Sequence, residues 1–152
     1  MVIKELRGKT AGLDTMIFIY HLEDHPKYVA ATEKLFDGIE HGSCRAVTSI
    51  LTLIELLIKP KREGNLIAVS DYRDLILTFP NLTVMDVDLR VSDIASDLRA
   101  RYKIRMPDAI QLATAMTGGA QHFITNDDGL KKVKDINIIL LDEWLLRVSK
   151  LY

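Results

Sequence analysis

The stretch Ala11-Gly12-Leu13-Asp14-Thr15-Met16-Ile17-Phe18-Ile19-Tyr20-His21-Leu22 changes character at its fourth residue. Ala11 to Asp14 is a short apolar run ending at an acid and predicts a strand, whereas Thr15 to Leu22 continues apolar at helix-compatible spacing. Outward from this unit the same alternation returns. Pro26 suits the first turn of a helix, and Val29, Ala30, Leu35, Phe36 and Ile39 follow it to a stop at Gly42. Arg45 to Thr48 predicts a second strand, after which Ser49 caps a helix carrying Ile50, Leu51, Leu53, Ile54, Leu57 and Ile58 that Pro60 ends. Asn65 to Thr78 predicts a further helix closed by Phe79-Pro80-Asn81, and Leu82 to Val87 a third strand. Asp88 to Tyr102 and Pro107 to Gly118 read as two helices in succession. Gln121 to Thr125 is then a fourth strand, Asn126 to Gly129 a turn, and Ile136 to Leu141 a fifth strand before a closing helix that bears Trp144.

Apolar strands alternating with helices imply a parallel sheet covered on both faces, because each right-handed crossover deposits a helix on the sheet. The expected fold class is therefore α/β: a three-layer α/β/α sandwich around a mostly parallel five-stranded sheet, as a single domain over 1–152. In such folds ligands gather beyond the carboxyl ends of the strands, where the strand order reverses.

Composition narrows the classes of function. With 152 residues, 48% of them hydrophobic, the chain can bury a core without staples. The lone Cys44 allows no internal disulfide and no Cys-rich metal site, which fits a reducing compartment. Met1 to Lys9 alternates charged and apolar residues, unlike a secretory signal, and no apolar run approaches the roughly 18 to 20 residues that span a bilayer. The expectation is a soluble, cytoplasmic protein with no membrane partner. Lys and Arg number 20 against 21 Asp and Glu, so the net charge of −1 excludes grip on nucleic acid by bulk electrostatics. Any such contact must be local.

Four acids stand out, each with an ordinary structural reading beside the chemical one. Asp14 ends the first strand but could merely cap the next helix. Glu55 shares a helix face with Thr52 and Lys59 and could be a solvated polar residue. Asp108 follows Pro107 in a first helical turn, where the dipole favours a carboxylate by roughly 0.3 to 1 kcal/mol. Asp127 lies in Thr125-Asn126-Asp127-Asp128-Gly129, a turn-forming run. Those readings give no reason for the first and fourth strands both to deliver an acid while two helices offer one more each. Acids also follow the third strand (Asp86, Asp88) and the fifth (Asp142, Glu143), so strand-end acids alone are not diagnostic. His21 and His25 are four apart but lack a third ligand, and are read as surface residues.

The run Leu13-Asp14-Thr15, Glu55 within Ser49-Ile50-Leu51-Thr52-Leu53-Ile54-Glu55, the segment Met106-Pro107-Asp108-Ala109-Ile110-Gln111-Leu112-Ala113-Thr114-Ala115, and Phe123-Ile124-Thr125-Asn126-Asp127 together resemble the PIN-domain nucleases, and more narrowly the VapC-type toxin ribonucleases. The resemblance runs from about Gly12 to about Asp142. It implies that the first and fourth strands meet at the switch point. It further implies that Asp14, Glu55, Asp108 and Asp127 bind magnesium or manganese, that Thr125 supports them from behind, and that the protein pairs with a cognate antitoxin and forms a homodimer. Met16 stands where that family often has a polar residue, and about ten residues precede the first strand.

Four converging carboxylates repel one another and call for a divalent cation; an all-oxygen donor set without His or Cys suits magnesium or manganese. The implied reaction is hydrolysis of RNA phosphodiester bonds. Local cations could meet the substrate backbone: Lys59, Lys61 and Arg62 after Glu55, and Arg99, Arg101, Lys103 and Arg105 before Asp108. Two other functions compete. One is a PIN-type RNA-processing nuclease without an antitoxin, the other a phosphoacceptor signalling module of receiver-like fold. The latter needs a lysine after its last strand, where Leu141-Asp142-Glu143 stands. A dehalogenase-type phosphatase would need an aspartate at the position of Met16.

Overall fold

The computed structural model describes residues 4–149, so both ends of the expected 1–152 domain, and the first three residues of the Met1 to Lys9 reading, lie outside the described residues. Strands β1 (Thr10–Leu13), β2 (Arg45–Ser49), β3 (Leu82–Met85), β4 (His122–Thr125) and β5 (Asn137–Leu140) form one sheet in the order β3-β2-β1-β4-β5. All four pairings are parallel, where mostly parallel was expected. The chain begins in the middle, steps outward to β2 and β3, then returns across β1 to lay down β4 and β5. The order therefore reverses between β1 and β4.

The helices described are α1 (Thr15–Leu22), α2 (Val29–Glu40), α3 (Ile50–Arg62), α4 (Leu66–Thr78), α5 (Leu89–Arg101), α6 (Met106–Thr117) and α7 (Leu141–Ser149). Strand alternation divides the core into two. Ala11, Leu13, Ala46 and Ile124 point to the face covered by Ile17, Phe18, Leu35, Phe36, Ile39, Leu141 and Trp144. Val47 and Phe123 point to the other, against Val91 and Leu98 of α5 and Ala109, Leu112 and Ala115 of α6. Gly12 also faces α6, and a Cβ there would lie 2.4 Å from that of Ala115. The missing side chain lets α6 settle directly on β1.

Helix starts agree with their chemistry. Ser49 Oγ accepts from the Leu51 N–H at 3.1 Å, Asn65 Oδ1 from Ala68 at 3.1 Å, and Asp88 Oδ1 from Val91 at 3.0 Å. Two prolines behave differently from expectation. Pro26 sits in a turn, with Tyr28 and Val29 N–H both donating to the His25 carbonyl, and α2 begins only at Val29. Pro60 does not end α3, which continues to Arg62 with Glu63 N–H bonded to the Lys59 carbonyl at 3.0 Å. A proline forfeits its own N–H bond, but in the last turn few later bonds depend on it. The two histidines are not surface residues either. Both are half-buried, with the His21 ring 4.6 Å from Phe36 and His25 packed on Tyr20 and Tyr28 at 5.0 and 4.8 Å.

Candidate active site

Because β1 and β4 are neighbours in register, with Leu13 opposite Ile124, the residues one step further on, Asp14 and Thr125, emerge side by side at the carboxyl edge. Asp14 is buried and is indeed the N-cap of α1. Its Oδ1 accepts from the Thr15 N–H at 2.8 Å, and its Oδ2 accepts from the Thr125 hydroxyl at 2.7 Å. Burial pushes its carboxyl up to about 6, against the lowering of those two hydrogen bonds, and the nearby Asp108 and Glu55 push the same way. The capping reading is thus true of Asp14, and the same side chain stands at the carboxyl edge where the strand order reverses.

Thr125 is fully buried and links two acids, since its Oγ1 donates to Asp14 and accepts the Asp127 N–H at 3.1 Å. Asp127 is half-buried and turns Oδ1 back to the Gly129 N–H at 2.9 Å, opening a short 3-10 helix over Asp128–Lys132. Met16, the departure noted in the sequence, places its sulfur 3.1 Å from the Asn126 N–H and so supports the same turn.

Asp108 reaches the site from the first turn of α6, whose amino end points to the carboxyl edge because the helix runs back against the strands. It is buried, and Arg105 Nε donates to its Oδ2 at 3.2 Å. Glu55, in α3, is the exposed member of the four. Desolvation raises its pKa, a Thr15 hydrogen bond and the Arg105 charge lower it, and Asp108 raises it. Asp14, Glu55 and Asp108 therefore lie in mutual electrostatic reach, and the field of Arg105 extends to Asp108, Asp127 and Asp14 as well as Glu55.

Beneath the acids lies a buried hydroxyl network that sequence reasoning missed. Gln111 Nε2 donates to Thr15 Oγ1 at 3.1 Å and Thr52 Oγ1 at 2.8 Å, Thr15 donates to Thr52 at 3.2 Å, and Thr52 meets Thr48 at 2.7 Å. It ties α1, α3 and α6 together under Asp14, Glu55 and Asp108. Gln111 Oε1 is buried without a hydrogen-bond partner. A signal was present: Thr52 precedes Glu55 by three residues and Gln111 follows Asp108 by three, so each shares a helix face with an acid.

Of the other strand-end acids, Asp88, Asp142 and Glu143 have structural partners. Sheet order puts β3 and β5 at opposite edges. Asp88 caps α5, Asp142 accepts from Tyr28 Oη at 2.7 Å, and Glu143 pairs with Lys131. Of the candidate phosphate-binding cations, Lys59 pairs with Glu23 at 3.0 Å and Arg101 is held by Asp97 and Asp135. Arg99 donates to the Ile104 carbonyl, while Lys61, Arg62 and Lys103 make no side-chain ion pair among the described residues.

The donor set is chemically suited to a hard divalent cation, being all oxygen, half of it buried, and under mutual repulsion. Its spacing is open. Among the described residues the group of three whose ligand atoms all lie within 4.8 Å of one another is the exposed Asp37, Glu40 and His41, at the far end of the sheet where α2 leads into β2; no three of the four acids meet that distance. Magnesium ordinarily takes one or two carboxylates and keeps several waters, so an open ring of acids is compatible with it.

The fold is a three-layer α/β domain with acidic side chains in electrostatic reach of one another at its switch point. The sequence profile of the PIN domain matches residues 12–136, and the chain belongs to that family. No curated protein matches the chain. Among solved structures it is similar to VapBC2 from Rickettsia felis bound to a promoter DNA fragment, with TM-score 0.68 and 16% identity over 86% of this chain and 98% of that one. It is also similar to DNA-bound VapBC from Salmonella typhimurium (0.65, 21%, 88% and 98%) and to a toxin–antitoxin complex from Klebsiella pneumoniae (0.63, 19%, 87% and 97%). At these identities the likeness is one of fold. A receiver-like fold has sheet order 2-1-3-4-5, which the order observed here excludes.

Proposed function

We propose that the protein is a divalent-metal-dependent endoribonuclease acting as the toxin of a toxin–antitoxin pair. The observation that carries this reading is the gathering of Asp14, Glu55 and Asp108 into one electrostatic neighbourhood at the β1/β4 switch point, with the buried Asp14 carboxyl pushed up to about 6 by desolvation and by its fellow acids. A pocket that makes its own charges costly is one that a cation relieves.

In this reading Asp14 and Asp108 hold magnesium or manganese, Asp127 completes or orients its surroundings, and Glu55 positions water or a second ion. When bound, the cation supplies Lewis acidity towards a phosphate and lowers the pKa of water. Thr125 keeps Asp14 from rotating by bonding its Oδ2, and the Gln111, Thr15 and Thr52 network fixes the helices that bear Asp108 and Glu55. Water would add to phosphorus, giving up a proton to a site carboxylate or to solvent, and the bridging ribose oxygen would leave and take up a proton to become a hydroxyl. Lys61, Arg62 and Lys103, which make no ion pair among the described residues, are better placed to take up backbone phosphate than the engaged Lys59 and Arg101.

The antitoxin reading draws support from exposed apolar residues on α3 and α4. Ile54 and Ile58 stand open, and Leu66 and Ile67 are 77% and 76% exposed, beside a cleft lined by Ile19, Leu22, Glu55 and Tyr72. An RNA-processing nuclease acting without a partner gives no account of them. A homodimer is proposed through Val87, Leu89 and Met106, exposed around the start of α5 and α6. No helix among the described residues is long and apolar enough to cross a membrane.

Purified protein with magnesium is expected to cleave a structured RNA such as a tRNA, to stop on chelation, and to lose at least about a hundredfold in rate on Asp14→Asn. Equal cleavage by the variant would overturn the assignment. A small antitoxin-like reading frame directly upstream is expected for the toxin and not for a processing enzyme.

A further inference from the structure

We propose that Arg105 is a built-in competitor of the metal: without a cation its guanidinium sits on Asp108 and screens the four-acid pocket, and an entering divalent ion must displace it. The inference rests on the metal-dependent reading above and adds to it a regulator of occupancy supplied by the chain itself.

Arg105 is the N-cap residue of α6, yet its side chain makes no capping hydrogen bond. A cation at a helix amino end is disfavoured by the helix dipole, so neither capping nor the dipole explains its posture. What holds it is Asp108. Among the described residues this is the ion pair that any of Asp14, Glu55, Asp108 and Asp127 makes, through a single contact from Nε to Oδ2 at 3.2 Å. The two side chains differ sharply in setting, Arg105 being 78% exposed and Asp108 11%. Its Nη groups make no hydrogen bond among the described residues, so the charge is tethered at one point, within electrostatic reach of Asp127 and Asp14 as well as Asp108.

Arg101, four residues earlier at the end of α5, shows what a structural arginine looks like here. It bonds Asp97 through Nε and Nη2 and Asp135 through both Nη groups. The single bond of Arg105 is suited to release. A divalent cation on Asp108 places like charge against the guanidinium, and the two cannot share that carboxylate without mutual repulsion.

The test is calorimetric titration of MnCl2 into chelator-stripped full-length protein, comparing wild type with Arg105→Ala and Arg105→Lys. Wild type is expected to bind manganese, R105A to bind it about fivefold more tightly, and R105K to fall between, with the gap narrowing as salt is raised. Thermal unfolding gives a second readout: R105A melts below wild type in chelator, because its acids lose their counter-charge, and gains more on manganese addition. If R105A does not fold, Arg105→Gln, which removes the charge and keeps the stem, takes its place. Wild type that binds manganese while R105A or R105Q binds it equally or more weakly would overturn the inference and leave the metal reading standing. No manganese binding by any of them would overturn the metal reading itself.

Discussion

At Asp14 the helix cap and the proposed site acid are one group, and its free energy depends on pH with a definite sign. Its folded-state carboxyl titrates at about 6 rather than the ordinary 3.8. The protonated form is therefore favoured in the fold; the stability this contributes is full below pH about 4 and lost as pH rises through about 6. The shift corresponds to about 3 kcal/mol. Asp14→Asn removes the charge while keeping the shape, so in chelator the variant should unfold at higher denaturant than wild type at pH 8, with the difference shrinking towards pH 4. A variant less stable than wild type at pH 8 would show that the ionised carboxylate is not under the strain described. The same residue shows what was legible in the sequence. Local patterns placed Asp14 and Asp127 at strand ends, but choosing them over the other strand-end acids, and giving Thr125 a supporting role, rested on the family resemblance. The tie from Gln111 to Thr15 spans 96 residues, and the grip of Arg105 on Asp108 needs the helix start in three dimensions.

At the scale of elements, the site depends on α6 lying close against β1. Gly12 permits that approach, and the Cβ of Gly12→Ala would meet Ala115 Cβ at 2.4 Å and Phe123 Cδ2 at 2.9 Å. Both are core atoms with no room to retreat. The substitution should cost about 1 to 3 kcal/mol, measured by chemical denaturation. It should also lower RNA cleavage by more than the unfolded fraction explains, because α6 carries Asp108 away from Asp14. Wild-type stability and rate in the variant would mean that the helix is not held where described. Strands and helices were read correctly in kind and order, since apolar periodicity is a local signal. Their ends were less legible around Pro26 and Pro60, because proline restricts a chain without saying whether a turn or a last helical turn will absorb it. Sequence placed His21 and His25 on the surface; the aromatic cluster that half-buries them is assembled from α1 and the turn before α2.

At the scale of the whole molecule, a sheet ordered β3-β2-β1-β4-β5 puts two acid-bearing strands in the middle and sends the remaining strand-end acids to the edges. That sorting was beyond strand and helix assignment, which leaves order unspecified, and followed only from resemblance to the PIN family. Its chemical consequence is the proposed site: acids with open spacing, one tethered arginine and a floor of buried hydroxyls. The most direct test is the position of manganese, by its anomalous scattering, in a crystal of the wild-type protein. The account predicts an ion bonded to Asp14 or Asp108, directly or through one water, with Arg105 turned away from Asp108. Manganese found only at Asp37, Glu40 and His41, or absent from the β1/β4 switch point at millimolar concentration, would contradict it.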